Sequence, residues 1–271
     1  MNYLFYLISF FTFQIICEKF EPLILVLVRN GESEWNKLNL FTGWTDIPLS
    51  EKGREESIKS GKLLKEAGFK FDFCYTSVLK RAIQTAFYIL DELDQLYIPV
   101  YKNFCLNERH YGALQGLNKK EANEKYGADK VKAWRRAYDI PPPKLEENDE
   151  RNPANQEQYK NTAKSLLPLH ESLKKTTYRV IPYFNDIIGY KIKMGKKVLI
   201  VSHGDSLRAL VKYLDIIPDD EVDNLNIPFG VPLIYELDRK LNPIRHYYLG
   251  EQKNINDKIN SIKKQDTIKN N

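Results

Sequence analysis

The chain has 271 residues, 42% of them hydrophobic, and a formal charge of +5 with Lys and Arg interspersed among Asp and Glu, which is enough for one large α/β domain or two small ones. So mild and mixed a charge argues against a nucleic-acid binder, and it also suits basic side chains that gather on a small anion. Cys17, Cys74 and Cys105 are too few and too scattered for a disulfide framework, and four dispersed histidines with no Cys/His cluster give no metal-site pattern.

The first element is unusual. Met1 to Cys17 carries no charged side chain, and Tyr3 to Ile16 is an apolar, aromatic-rich run. It is short for a membrane span and has the length of a signal-peptide core, yet it lacks a basic start and a small-x-small cleavage site. A cleaved signal or targeting segment, a retained interfacial anchor and a gene-model extension all stay open. Residues 1–22 are therefore set apart as an apolar leader, 23–250 as the domain, and 251–271 as a polar tail.

Leu23 to Val28 is an unbroken aliphatic run, the pattern of a strand buried on both faces of a parallel sheet, and the polar loop Asn30 to Asn36 follows it. Ser50-Glu51-Lys52-Gly53 opens a helix through Ile58, Leu63 and Leu64, which Gly68 closes. Phe71 to Tyr75 is a second strand. Thr76-Ser77 is predicted to cap a helix running from Val78 towards Leu93, which puts Arg81 in a first turn whose free N–H groups favour an anion. Leu106 to Gly112 is a polar loop, followed by a helix near Lys119 to Tyr126. Pro141 through Asn161, rich in Pro, Asn and charge, reads as a surface excursion. A helix is expected from about Leu169 to Ile188, a buried strand at Val198 to Val201, a helix from Ser206 to Leu214, and a late strand at Val231 to Leu237. Glu251 to Asn271 reads as a mobile tail or frayed helix. Strands alternating with helices imply a three-layer α/β sandwich around a mostly parallel sheet. Asn30 and His203 each follow the carboxyl end of a buried strand, where open α/β sheets bind ligands.

Singly these residues say little. Together, Arg29-Asn30-Gly31-Glu32-Ser33, Phe41-Thr42-Gly43-Trp44, Tyr75-Thr76-Ser77-Val78-Leu79-Lys80-Arg81, Asn107-Glu108-Arg109-His110-Tyr111-Gly112, Trp134-Arg135-Arg136 and Ser202-His203-Gly204 follow one order and spacing. That set resembles the cofactor-dependent (2,3-bisphosphoglycerate-dependent) phosphoglycerate mutases of the histidine phosphatase superfamily, over roughly Leu23 to Gly250. The excursion from Pro141 to Asn161 resembles the mutases rather than the small phosphatases of the superfamily.

The resemblance implies that Arg29, Arg81 and His203 grip the transferring phosphoryl group, since forked guanidinium donors match phosphate oxygens. It implies that Glu108 is the general acid/base, and that Ser33, Asn36, Thr42, Gly43, Tyr111, Lys119, Arg135, Arg136 and Gly204 hold the substrate's carboxylate and second phosphate, with Asp205 beside them. It further implies 2,3-bisphosphoglycerate as phosphoryl donor, no metal, phosphoglycerates as partners, a homodimer or tetramer, a cytoplasmic site of action (secretory or organellar if the leader is a signal), and a C-terminal tail that can close over the site.

Two positions depart from the family pattern. Asn30 stands where the family carries its phospho-accepting histidine. Imidazole has a nucleophilic nitrogen near neutrality, whereas the Asn amide nitrogen is delocalised into its carbonyl and offers hydrogen bonds only. Asp205 stands where the family usually has Asn, and a carboxylate there repels phosphate unless it is protonated or turned towards an Arg. Three functions compete: a strongly impaired mutase that keeps its pocket; a working mutase, with Asn30 an error, an engineered trap or part of a bypass route; and a non-enzymatic secreted or membrane-associated binding scaffold.

Overall fold

The computed structural model describes residues 21–267. The leader expected at Met1 to Cys17 lies outside the described residues, as do the last residues of the tail.

Six strands form one sheet in the order β3-β2-β4-β1-β5-β6. They are β1 (Leu23–Arg29), β2 (Phe73–Thr76), β3 (Val100–Lys102), β4 (Val198–Ser202), β5 (Pro232–Leu237) and β6 (Pro243–Tyr248). β1, β4, β2 and β3 run parallel, while β5 is antiparallel to β1 and β6 to β5. The unbroken aliphatic runs explain the centre. Leu25 and Leu27 of β1 face one core, with Val180, Phe184, Leu207 and Leu210. Val26 and Val28 face the other, with Leu64, Ala86 and Ile89. A strand whose alternate side chains enter two cores has no polar face to show, and each such burial contributes roughly 1.5–3 kcal/mol.

The helices, numbered in chain order, are α1 (Glu34–Lys37), α2 (Glu51–Glu66), α3 (Lys80–Glu92), α4 (Lys119–Tyr126), α5 (Ala128–Arg136), α6 (Leu173–Tyr183), α7 (Gly189–Lys193), α8 (Gly204–Leu214) and α9 (Gln252–Thr267). α2 and α3 cover one face of the sheet, and α6 and α8 the other. The chain therefore leaves β1 towards one face and β4 towards the opposite face. Those two strands are neighbours paired from Leu25↔Val198 to Arg29↔Ser202, so a crevice opens between their carboxyl ends.

Several elements differ from the sequence-based expectation. The helix after β2 starts at Lys80, with Leu79 as an N-cap that makes no side-chain cap bond; Ser77 instead accepts from the Leu79 N–H and bonds His203. The edge strands β3 and β6 were not anticipated, because β3 is wholly exposed and β6 mostly so, leaving no apolar alternation to read. The helix expected from Leu169 to Ile188 begins at Leu173 behind the Ser172 cap and contains Pro182, and a π-helical turn at Phe184–Ile188 follows it, as expected where an imino residue interrupts the hydrogen-bond ladder. The excursion from Pro141 to Asn161 is more than surface: Leu145 and Tyr159 are buried, and the Tyr159 ring lies 5.1 Å from that of Trp44.

Of the two readings left open for the tail, the described residues take the helical one. Over Gln252–Thr267 it is a helix, with Ile255 and Ile262 buried. These two residues are two turns apart on one face, too sparse a stripe to read from sequence.

Candidate active site

Asn30 directly follows β1. Its N–H donates to the Ser202 carbonyl at 2.8 Å, and its amide Nδ2 donates to the Gly31 carbonyl at 2.7 Å. The side chain is buried in the wall of a cleft of about 100 Å³ at the β1/β4 switch point. Arg29, Arg81, Lys119, Arg135 and Arg136 line the same cleft, together with Asn36, Thr42, Gly43, Glu108, Tyr111, Gly204 and Asp205.

The cations are held in place from behind. Arg29 Nη1 donates to the Ile227 carbonyl at 2.8 Å, and its guanidinium lies 3.6 Å over the Phe229 ring. A Cβ on Gly204 would come within 3.1 Å of Arg29 Cζ, so α8 begins close against the guanidinium. Arg81 Nη2 donates to the Gly43 carbonyl at 2.7 Å and Nη1 to Thr45 at 3.1 Å; Gly43 supports this with φ of 52°, a conformation that strains other residues. Burial lowers Arg81 to about 10, Arg136 to about 9 and Lys119 to about 7, with neighbouring guanidinium groups acting in the same direction. A cluster of cations that depress one another is a site that gains from an anion.

Glu108 enters from the loop before Tyr111. Its Oε1 accepts the N–H groups of Arg109 and Asp205, each at 2.9 Å. Burial and then Asp205 push its pKa above the usual carboxyl range, against the pull of Arg29 and Arg81. Asp205 behaves oppositely: burial alone would raise it, but Arg109 at 3.0 Å and Arg208 at 2.7 Å hold it well below the usual range. Of the alternatives the sequence left for Asp205, the structure has it turned towards arginine.

Two expected ligands sit behind the cleft wall. His203 is fully buried, with Nε2 at 2.7 Å from Ser77 Oγ. Burial, then Arg81, Arg179 and Arg29, keep its imidazole neutral. Ser33 is buried in a capping box with Asn36, whose Oδ1 accepts from the Ser33 hydroxyl at 2.8 Å. Other contributors had gone unnoticed. Arg109 is buried and pinned to Asp205 and, at 2.8 Å, to the Tyr111 hydroxyl. Arg208, Asn226, Phe229 and Ile262 join the cleft wall. Arg109 lies within a motif already quoted and could have been found there; Ile262 carried no local signal.

The arrangement is a cationic cleft at a switch point, with one buried carboxyl pushed above its usual range. The chain belongs to the histidine phosphatase superfamily (branch 1), whose profile matches residues 25–151 and 144–245. Within the superfamily, it is 58% identical over 241 residues to the 2,3-bisphosphoglycerate-dependent phosphoglycerate mutase of Treponema denticola, covering 89% of this chain and 98% of that protein. Among solved structures, it is similar to an α-ribazole-5′-P phosphatase from Escherichia coli, with a TM-score of 0.64 and 21% identity over 85% of this chain and 97% of that one. It is also similar to a mycobacterial glucosyl-3-phosphoglycerate phosphatase, with a TM-score of 0.63 and 19% identity over 84% of this chain and 98% of that one. At these identities the structural likenesses speak for the fold.

Proposed function

We propose that this chain binds phosphoglycerates in a mutase pocket and that its turnover is strongly reduced by Asn30. The observation that carries the reading is the convergence of Arg29, Arg81, Lys119, Arg135 and Arg136 on the cleft that also holds Glu108 and Asn30. The Treponema denticola relative supports phosphoglycerate as the substrate class.

The residues fit 2,3-bisphosphoglycerate. Arg29 Nε and Thr42 Oγ1 are buried without partners, and both side chains belong to the cleft, as expected of donors kept for an oxyanion. Arg29 and Arg81 hold the reacting phosphate, and Lys119, Arg135 and Arg136 neutralise the remote anionic end. When bound, 2,3-bisphosphoglycerate supplies a phosphoryl group. Glu108 carries a proton to or from the substrate hydroxyl. Asn30 can donate a hydrogen bond to a phosphate oxygen, but the lone pair of its amide nitrogen is delocalised and does not attack phosphorus as imidazole does. Loss of a nucleophile from a cooperative site has cost roughly six orders of magnitude in a protease, about 8 kcal/mol of barrier.

Calorimetry with 3-phosphoglycerate and 2,3-bisphosphoglycerate, beside a coupled mutase assay on chain verified to contain Asn30, tests this. The expected result is binding that weakens as salt rises and turnover orders of magnitude below that of a histidine-bearing relative. Absence of binding at millimolar ligand and low salt sinks the pocket assignment, and full turnover sinks the impairment.

A further inference from the structure

Asp205 opens the first turn of α8 and is 6% exposed. Its Oδ2 accepts from Arg109 Nε at 3.0 Å and from the Tyr111 hydroxyl at 2.8 Å, and its Oδ1 from Arg208 Nη1 at 2.7 Å. Both oxygens are therefore engaged, two of the three donors are cations, and the amino end of a helix adds to their effect. This carboxylate cannot be neutralised cheaply. The same residue offers its backbone N–H to Glu108 Oε1 at 2.9 Å, beside that of Arg109. Since Oε1 already accepts two N–H groups, a proton on Glu108 belongs on Oε2, the oxygen left for a ligand.

Two carboxyl groups so placed are driven apart in protonation, because ionising the second beside a fixed negative charge costs Coulomb energy in a buried site. The groups facing Glu108 are Arg29 from β1, Arg81 from α3, Asp205 from α8, Arg109 and Tyr111 from its own loop, and Arg179 from α6, whose Nη2 donates to the Glu108 carbonyl at 2.8 Å. Arg29 and Arg81 favour the carboxylate. Burial and Asp205 oppose them and prevail.

We propose that Asp205 is a positioning residue for Glu108: its backbone N–H fixes Oε1, while its immobilised carboxylate keeps Glu108 as the proton-donating member of the pair. This inference rests on the reading of Glu108 as the group that meets the phosphoglycerate hydroxyl. It gives the departure from Asn a consequence, since an amide at this position would keep the backbone bond and lose the charge. Glu108 then presents an O–H rather than a second negative group to an anionic ligand, and that advantage disappears as it ionises.

The test is the affinity of the full-length chain for 3-phosphoglycerate by calorimetry from about pH 5 to about pH 9, a range that brackets a raised carboxyl. The ligand's own ionisation is common to all variants. In the native chain affinity falls as pH rises through the Glu108 transition, Glu108→Gln removes that transition, and Asp205→Asn moves it down by about one pH unit. A purely structural Asp205 would change affinity by one constant factor at every pH and leave the midpoint in place, which overturns the proposal. Should Asp205→Asn not fold, ¹³C titration of the Glu108 carboxyl in the native chain decides, and a value at or below that of ordinary glutamate overturns it. Absence of 3-phosphoglycerate binding at every pH counts against the phosphoglycerate reading, and the same carboxyl titration still decides the role of Asp205.

Discussion

Lys258 Nζ lies 3.4 Å from Glu56 Oε1, and the other oxygen of Glu56 accepts the Glu32 N–H at 3.0 Å. One carboxylate thus joins the C-terminal helix to the loop that carries Asn30. Lys258 also donates to the Phe229 carbonyl at 3.0 Å, and Ile262, one turn further on, forms part of the cleft wall. The Lys258 side chain is 35% exposed, so the ion pair itself is worth less than about 1 kcal/mol. Lys258→Ala is expected to leave global stability within that margin. It should raise amide exchange across Gln252–Thr267 and weaken 3-phosphoglycerate binding several-fold. Exchange rates equal to those of the native chain would show that the tail is held by Ile255 and Ile262 alone.

Lys119 supplies a pH dependence. Its folded pKa of about 7 is below the ordinary 10.5, first through burial and then through Arg135, Arg29 and Arg136. Between about 7 and 10.5 the unfolded chain holds the Lys119 proton and the folded chain does not, so this group's contribution to stability rises with pH across that window. An anion in the cleft reverses the depression, so phosphoglycerate should bind with proton uptake near neutrality. Calorimetry in buffers of differing ionisation enthalpy should detect the uptake, and Lys119→Met should reduce it. An unchanged proton count in that variant would exclude Lys119 as the source.

Much of this was legible beforehand, for local reasons. Leu23 to Val28 and Val198 to Val201 announce themselves because a strand between two helical layers must be aliphatic on both sides. Arg81 was placeable from a helix start, and Arg135 and Arg136 from the motif around Trp134. What stayed hidden depends on contacts distant in sequence. The partners of Asp205 include Arg109, 96 positions away, and nothing local told whether its carboxylate faces an anion or an arginine. The bond that holds His203 to Ser77 spans 126 positions. β3 and the tail helix lacked a pattern because one is an exposed edge and the other is anchored by two isoleucines.

Arg179 acts on the site from the opposite side. Nε and Nη2 bind Glu171 at 2.7 and 2.8 Å, Nη1 donates to the carbonyls of Cys105 and Asn107, and Nη2 to that of Glu108. The loop bearing Glu108 is therefore shaped by one guanidinium. Arg179→Met leaves Glu171, which is 3% exposed, without its cation, and this should cost about 3–5 kcal/mol. Arg179→Met with Glu171→Gln removes the stranded charge and should recover part of that loss. Urea denaturation of both variants checks the order, and a double variant no more stable than the single one would place the loss in the carbonyl contacts.

The nucleophile position allows the sharpest test. Asn30 has its backbone fixed to Ser202 and its side chain in the cationic cleft beside Glu108, so Asn30→His introduces an imidazole among Arg29, Arg81 and Glu108, the residues proposed above to hold the phosphate and carry the proton. The variant is expected to form an acid-labile phosphoenzyme from 2,3-bisphosphoglycerate and to gain turnover approaching the several orders of magnitude that a nucleophile provides. The surrounding cations Arg29, Arg81 and Lys119 favour this, because an imidazole among cations stays neutral and keeps its lone pair available at neutral pH. Asp205 limits the gain to the extent that its charge repels the phosphoryl oxygens, although Arg109 and Arg208 offset most of it. Asn30→His with Asp205→Asn separates the two: extra turnover in the double variant measures the repulsion, and reduced turnover measures the loss of the Glu108 proton donor. Phosphohistidine mapping together with the coupled assay reads both. A folded, ligand-binding double variant with neither phosphoenzyme nor turnover would mean that the pocket lacks more than its nucleophile.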